Sequence, residues 1–414
     1  MINQTDHAPS TEGPDRAELL ELTRDLVSIP SHDDETCVGE FIERWLEGHT
    51  DARVARDDAG NVIARRTLCE ADGTGTDPTS LALVGHHDVV PPDDSQVIDD
   101  GGESNDSDDV HSEYVLTERD GRLHGRGTAD MKGALAAAMC AFQDAISRGG
   151  SEQDDRNAAA DPGAENSFSI EELVFASFVG EEQGGVGARH AIDRGFAPDY
   201  AIVGEGSTGY SASDVTDIAV AHKGRRASTI TASGESAHAS EPSAGSNAIY
   251  RACEAVEAVR EIDAPTVEIA GEKIAGSVVV TEIEGGSGWN VIPDVCTLTI
   301  DERTVPGERA PLGRVEGIDG VSWAVEQNLP PMRCGCEKFA ETTLVAATGT
   351  QESDPELVTK PHATDAGWLA EAGTACVICG PAEPGEAHTE NESVSIDVLE
   401  RCYRIYRASA EAMH

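Results

Sequence analysis

Two adjacent acids, Glu181 and Glu182, stand where an apolar, strand-like run from Leu173 to Val179 enters a glycine-rich turn ending at Gly187. Neighbouring side chains on extended backbone point in different directions. One carboxylate of such a pair can hold a metal ion while the other stays free to move a proton. Comparable groups recur along the chain. His86 and Asp88 close the apolar run that begins at Ser80. At a spacing of two they share a face, which suits a metal-bound imidazole with a carboxylate to orient it. His87, between them, reads as structural. Asp130 lies in the glycine-framed segment Gly125-Arg-Gly-Thr-Ala-Asp130-Met-Lys-Gly133, placed to coordinate something. Glu205 ends the run from Asp199 to Gly204, and His388 stands near the C-terminus in Ala387-His388-Thr389. Two histidines and three carboxylates are what two zinc ions need, if one carboxylate bridges and each metal keeps an open position.

Functional groups at the ends of apolar runs, with helices between the runs, predict an open α/β sheet with its site along one edge. Each of these loops is expected at a strand end. Helical spacing marks Arg16 to Val27, stopped by Ile29-Pro30, and Thr36 to Leu46. Alanine-rich helices are expected from Ala134 to Ile146 and from Ala188 to Ile192, with shorter strands at Ala52 to Val54 and Asn61 to Arg65. Gly125-x-Gly127 does not continue as a dinucleotide fingerprint, because the third glycine is misplaced.

From about Ile218 the texture changes. Ile218 to Ala232, Ser277 to Ile283 and Val295 to Ile300 look like antiparallel strands. Asn247 to Ile262 is an amphipathic helix, and Gly313 to Gly317 begins a short one. This predicts an α+β insert of roughly 110 residues, an ordinary small-domain size. The expected division is a first catalytic part over 15–217, the insert over 218–329, and a second catalytic part over 330–414. Residues 1–14 and the acidic stretches 93–113 and 149–167 read as solvated segments. The first stretch lacks the spaced ligands and closing Glu of a calcium loop.

At 414 residues the chain is long for one core. Its formal charge is −47, yet 39% apolar content still allows packed domains. So acidic a surface repels itself unless salt screens it, which predicts a saline cytoplasm and loss of fold or activity in dilute buffer. The charge also argues against nucleic acid or anionic membrane as a partner. No apolar run is long enough to span a bilayer, and the N-terminus lacks a basic and apolar leader, so a cytoplasmic location is expected. The ten cysteines are scattered mostly singly, as in a reducing compartment. Cys376-x-x-Cys379 lies in a run that reads as a buried strand rather than a redox or zinc motif.

As a set, Gly85-His86-His-Asp88-Val-Val-Pro91, the Asp130 segment, Gly180-Glu181-Glu182-Gln-Gly-Gly185, Ile202-Val-Gly-Glu205, Gly234-Glu-Ser-Ala-His238, Asn290-Val-Ile-Pro293 and Ala387-His388-Thr389 resemble one family. It is the co-catalytic zinc family of aminoacylases, acetylornithine deacetylases, succinyl-diaminopimelate desuccinylases and glutamate carboxypeptidases. The motifs run through nearly the whole chain. The resemblance implies a zinc-exopeptidase-type mixed sheet flanked by helices, with an inserted ferredoxin-like dimerisation or lid domain. It implies two Zn2+ ions, for which Co2+ can substitute. His86 and Glu205 would bind one, Glu182 and His388 the other, and Asp130 would bridge. Asp88 would support the site from behind, and Glu181 would be the general base. His238 would reach a neighbouring subunit's site to stabilise the oxyanion, while Asn290 and Arg303 would hold the substrate carboxylate. A cis peptide is expected after Asp130.

The implied function is hydrolysis of an N-acyl amino acid by a homodimer. A dipeptidase or carboxypeptidase is the second reading, and a non-catalytic metal-binding relative the third. Departures are Gly180, where the family often has an acid, the long acidic stretches, and Gly206-Ser207 after Glu205. These bear on substrate rather than on the proposed ligands.

Overall fold

The computed structural model describes residues 16–68, 78–97, 114–144 and 169–414. The readings for 1–14 and 149–167, most of that for 93–113, and the end of the helix expected to reach Ile146 lie outside the described residues.

A nine-stranded mixed sheet forms the centre. Its strands Glu172–Phe178, Ser80–His86, Tyr200–Val203 and Ala375–Ile378 lie side by side in that order and run parallel. They are almost wholly buried, which is why they read as unbroken apolar runs rather than alternating ones. The antiparallel pair Arg53–Arg56 and Val62–Thr67 extends one side. Cys376 is in the strand Ala375–Ile378 and Cys379 follows it, both buried.

Helices cover both faces. Gly133–Asp144 is buried from Gly133 to Phe142. Its small side chains let it sit between the sheet, the first helix Arg16–Ser28, and the C-terminal helix Ile396–Ala412. Val186–Asp193 leaves the turn after Glu182 and packs with Asp365–Glu371 over the other face. Gly187 has to be glycine: a Cβ there would lie 2.3 Å from Asn61 Oδ1 and 2.5 Å from the Val179 carbonyl.

The second core gathers Ile230, Ala252, Ala255, Leu298, Ile300 and Leu312. Its antiparallel sheet has the order Val321–Leu329, Gly224–Ser233, Val295–Thr304, Ser277–Gly285. The helix Ala248–Arg260 packs against it, capped by Asn247, whose Oδ1 accepts the Ile249 N–H at 2.9 Å. This is the ferredoxin-like order, with the second helix shortened to the 3-10 turn Leu312–Gly317.

The strand Ile218–His222, read from sequence as the start of the insert, instead pairs with Leu357–Lys360 and Met332–Arg333 in the central sheet. The insert's own sheet starts at Gly224. There the outgoing and returning chains run so close that a Cβ would lie 2.3 Å from the Leu329 carbonyl.

Candidate metal centre

The parallel register places the first groups. His86 pairs with Phe178 across one strand boundary, and Val84 pairs with Val203 across the other. Glu205, two residues beyond Val203, therefore arrives level with His86, while Glu181 and Glu182 follow in the turn past Phe178. Asp130 and His388 are not at strand ends, contrary to the expectation. Asp130 lies in a tight turn entering Gly133–Asp144, and the Asp130–Met131 peptide is cis. His388 sits well past Ala375–Ile378 with φ +62, a left-handed backbone that histidine tolerates better than bulkier residues.

These loops converge. His86 Nδ1 lies 3.0 Å from the Asp88 carbonyl oxygen and 3.2 Å from Asp88 Oδ1. Both are acceptors, so Nδ1 carries a proton, and Nε2 faces the cavity. Nε2 is 3.0 Å from Asp130 Oδ1 and 3.6 Å from Glu205 Oε1. On the other side, His388 Nε2 is 2.8 Å from Glu182 Oε1 and 3.1 Å from Asp130 Oδ2. Asp130 thus joins two trios of potential ligand atoms, His86–Asp130–Glu205 and Asp130–Glu182–His388, each lying within 4.8 Å of one another.

Asp88 clamps the acidic turn, accepting the Glu181 N–H at 3.1 Å and the Glu182 N–H at 3.0 Å. Burial works against its charge, yet His86 and those two N–H groups keep its pKa below the usual range. The Glu181 side chain makes no hydrogen bond among the described residues and faces a cavity of about 380 Å³ shared with Asp130, Glu182, Glu205 and His388.

Carboxylates outnumber imidazoles here, and burial penalises the excess charge. Burial, then Glu205 and Asp365, push Glu181 well above the usual carboxylate range, with His86 opposing. Hydrogen bonds to Asp130 and Glu182 raise His388 to about 10. Burial lowers His86, but Asp130, Asp88 and Glu205 outweigh it and leave the imidazole well above its usual value. Divalent cations at the two trios would relieve this crowding, and imidazole with carboxylate is a donor set suited to zinc. The residues fit the group.

The remaining candidates lie elsewhere. His238 lies on the two-stranded ribbon Ala237–His238 against Val291–Ile292, and Asn290 flanks it, its carbonyl accepting the Ala239 N–H at 2.9 Å. His238 Nδ1 is 2.6 Å from Ser240 Oγ, and neither residue lines the cavity of its own chain. Arg303 binds Asp301 Oδ1 at 2.8 Å, with its charge felt at His362 on the cavity wall. His87 is buried with Nδ1 2.7 Å from Ser177 Oγ, matching its structural reading.

Three residues escaped the sequence reading. Glu392 is buried and accepts the N–H groups of Ala129 and Asp130 at 3.0 and 3.2 Å. Asp365 is buried with neither oxygen hydrogen-bonded, its pKa pushed up to about 8 by burial. Lys360 lines the cavity. Their only sequence signals were an acid at the end of the His388 segment and a Thr-Asp helix start after a strand.

The chain is similar to known proteins. Residues 82–156 match the model of peptidase family M20/M25/M40, and residues 220–311 match a peptidase dimerisation domain. An N-formyl-4-amino-5-aminomethyl-2-methylpyrimidine deformylase of Bacillus subtilis is 25% identical, with 93% of this chain and 92% of that protein aligned. A succinyl-diaminopimelate desuccinylase of Bordetella avium is 27% identical over 95% of this chain and 98% of its own. A solved aminopeptidase from Bacillus cereus superposes with a TM-score of 0.71 at 18% identity, covering 96% of this chain and 99% of that one. The chain is similar to peptidase family M20/M25/M40 over the matched segments and is a hydrolytic enzyme acting on amide or peptide bonds.

Proposed function

We propose that the chain is a dinuclear zinc hydrolase that cleaves the amide bond of an N-acyl amino acid. The observation that carries this reading is the pair of ligand trios joined through Asp130. His86 and Glu205 would hold one ion, Glu182 and His388 the other, with Asp130 shared. Bound there, the ions would polarise the scissile carbonyl and acidify water. Glu181, unbonded and facing the cavity, takes a proton from the attacking water and returns it to the leaving amine. Asp88 holds the Glu181 and Glu182 backbone in place while this happens.

His238 and Asn290 belong, on this reading, to the site of a second copy. In support, the insert exposes Val279, Ile283, Trp289, Val291 and Val295, and its strand Ser277–Gly285 lies at a sheet edge. The oxyanion would then be met by His238 of the other copy, and the substrate carboxylate by Asn290 and Arg303.

The test is zinc-loaded hydrolysis in molar KCl of N-acetyl and N-succinyl amino acids and of dipeptides, with Glu181→Ala as control. Turnover of an N-acyl amino acid that disappears in the variant while metal content persists supports the reading. Turnover of dipeptides alone would replace it with a peptidase.

A further inference from the structure

A chain with 77 acidic residues keeps only five lysines, at positions 132, 223, 273, 338 and 360. Lys132 and Lys360 are buried. Lys132 has a partner in the structure: Nζ donates to the Ile29 carbonyl at 2.6 Å and lies over the Tyr114 ring. Lys360 does not have one so close. It ends the strand Leu357–Lys360, it is 6% exposed, and its ion-pair partner is Glu205 Oε2 at 3.8 Å, beyond hydrogen-bond reach.

The same cavity wall carries Tyr210 and His362, and neither side chain makes a hydrogen bond among the described residues. Burial and Glu205 push the Tyr210 hydroxyl up to about 12, so it keeps its proton and remains a donor. Burial and the neighbouring Lys360 and Arg303 lower His362, which favours the neutral ring with its single N–H.

A buried ammonium costs several kcal/mol unless an anion answers it. Among the described residues Glu205 is the one carboxylate paired with Lys360, and on the reading above Glu205 serves a cation. Lys360 would then stand a few ångströms from a divalent ion, an unfavourable arrangement unless further negative charge enters between them. Among the described residues no second carboxylate pairs with Lys360, so a substrate carboxylate is the group to supply that charge.

We infer that Lys360, with the Tyr210 hydroxyl and the His362 imidazole, forms a carboxylate subsite beside Glu205. It reads a carboxylate additional to the one assigned to Asn290 and Arg303. The substrate is then an amide with a second acid on a short aliphatic arm, in the acyl half or in the amino-acid side chain. An ammonium is a compact point charge on a flexible stem, so this subsite selects for charge and reach rather than for planar geometry. The inference rests on the cavity being the amide-hydrolysing site.

The experiment compares acids with their uncharged isosteres on the zinc-loaded full-length protein in molar KCl. Calorimetry measures succinate against succinamate and glutarate against glutaramate. Hydrolysis compares N-succinyl with N-succinamyl amino acids, and N-acetylglutamate with N-acetylglutamine, which separates an acyl acid from a side-chain acid. The wild type should favour the acid about ten- to a hundredfold, the range of one hydrogen bond to a charged group. The preference should collapse in Lys360→Met through KM, survive in Lys360→Arg, and weaken in Tyr210→Phe, a variant that leaves the buried charge untouched. Equal binding of acid and isostere by the wild type, or an unchanged ratio in both Lys360→Met and Tyr210→Phe, overturns the subsite. If nothing is hydrolysed but the calorimetric preference appears and is lost in Lys360→Met, the subsite stands and the hydrolytic reading falls. Hydrolysis with indifference to the second acid removes the subsite alone.

Discussion

Glu392 accepts the backbone N–H of Asp130 at 3.2 Å and that of Ala129 at 3.0 Å, so the end of the chain fixes the turn that presents the shared carboxylate. Its other oxygen meets Arg126 Nη1 at 2.5 Å, and both side chains of that pair are buried. Glu392→Gln leaves Arg126 without its full counter-charge. Breaking a buried pair costs about 3 kcal/mol or more, and a lost supporting bond lowers metal affinity roughly ten- to a hundredfold. Urea unfolding and zinc titration of the variant should show both losses. A variant as stable and as avid for zinc as the wild type would show that Glu392 does not hold the turn.

Asp88 supports the opposite loop. An asparagine at that position keeps the shape but has one accepting oxygen where the carboxylate uses two for the Glu181 and Glu182 N–H groups. Asp88→Asn should lower zinc affinity about ten- to a hundredfold with the fold retained. Calorimetric zinc binding checks this, and unchanged affinity would refute the supporting role.

Stability should decline in acid partly through His222. Its ring is buried, with Nδ1 3.0 Å from the Lys223 carbonyl and Nε2 3.3 Å from Thr364 Oγ1, and burial lowers its pKa to about 3. Above about pH 6.5 the ring is neutral in both folded and unfolded chains and adds no pH dependence. Below that value the unfolded chain takes up a proton that the folded chain refuses. Stability then falls by about 1.4 kcal/mol per pH unit until about pH 3. His222→Gln should unfold more easily at neutral pH but lose stability less steeply as the medium is acidified. Urea midpoints measured down to about pH 5 in molar KCl test the slope, and parallel slopes would contradict the assignment.

Salt should govern the fold as a whole. With a formal charge of −47, moving from molar salt to about 0.01 M stretches the screening length from about 3 Å to about 30 Å, so surface acids begin to repel across the molecule. Melting temperature should rise steadily with KCl. Full activity and an unchanged melting temperature in dilute buffer would remove the saline-cytoplasm reading.

The site was legible where chain direction and side-chain chemistry coincide. His86, the Glu181–Glu182 pair and Glu205 follow three adjacent parallel strands, and a strand's apolar run announces where its functional end must be. Asp130 and His388 were visible only through their motifs, because turns with such backbone leave no periodic trace. Lys360 carried no signal and Asp365 only that of a helix start: each is an ordinary residue near a strand end or helix start until the fold buries it. The start of the insert was misplaced for a related reason. Ile218–His222 is as apolar as an insert strand, and only its pairing with Leu357–Lys360 shows which sheet owns it.

The most direct test of the account is the number of zinc ions held per chain, counted after exhaustive dialysis in molar KCl. Two trios joined through Asp130 predict two ions in the wild type, one in His388→Ala, and no tightly held ion in Asp130→Ala. A single ion in the wild type, or an Asp130→Ala protein that still holds two, would contradict the shared carboxylate on which the account depends.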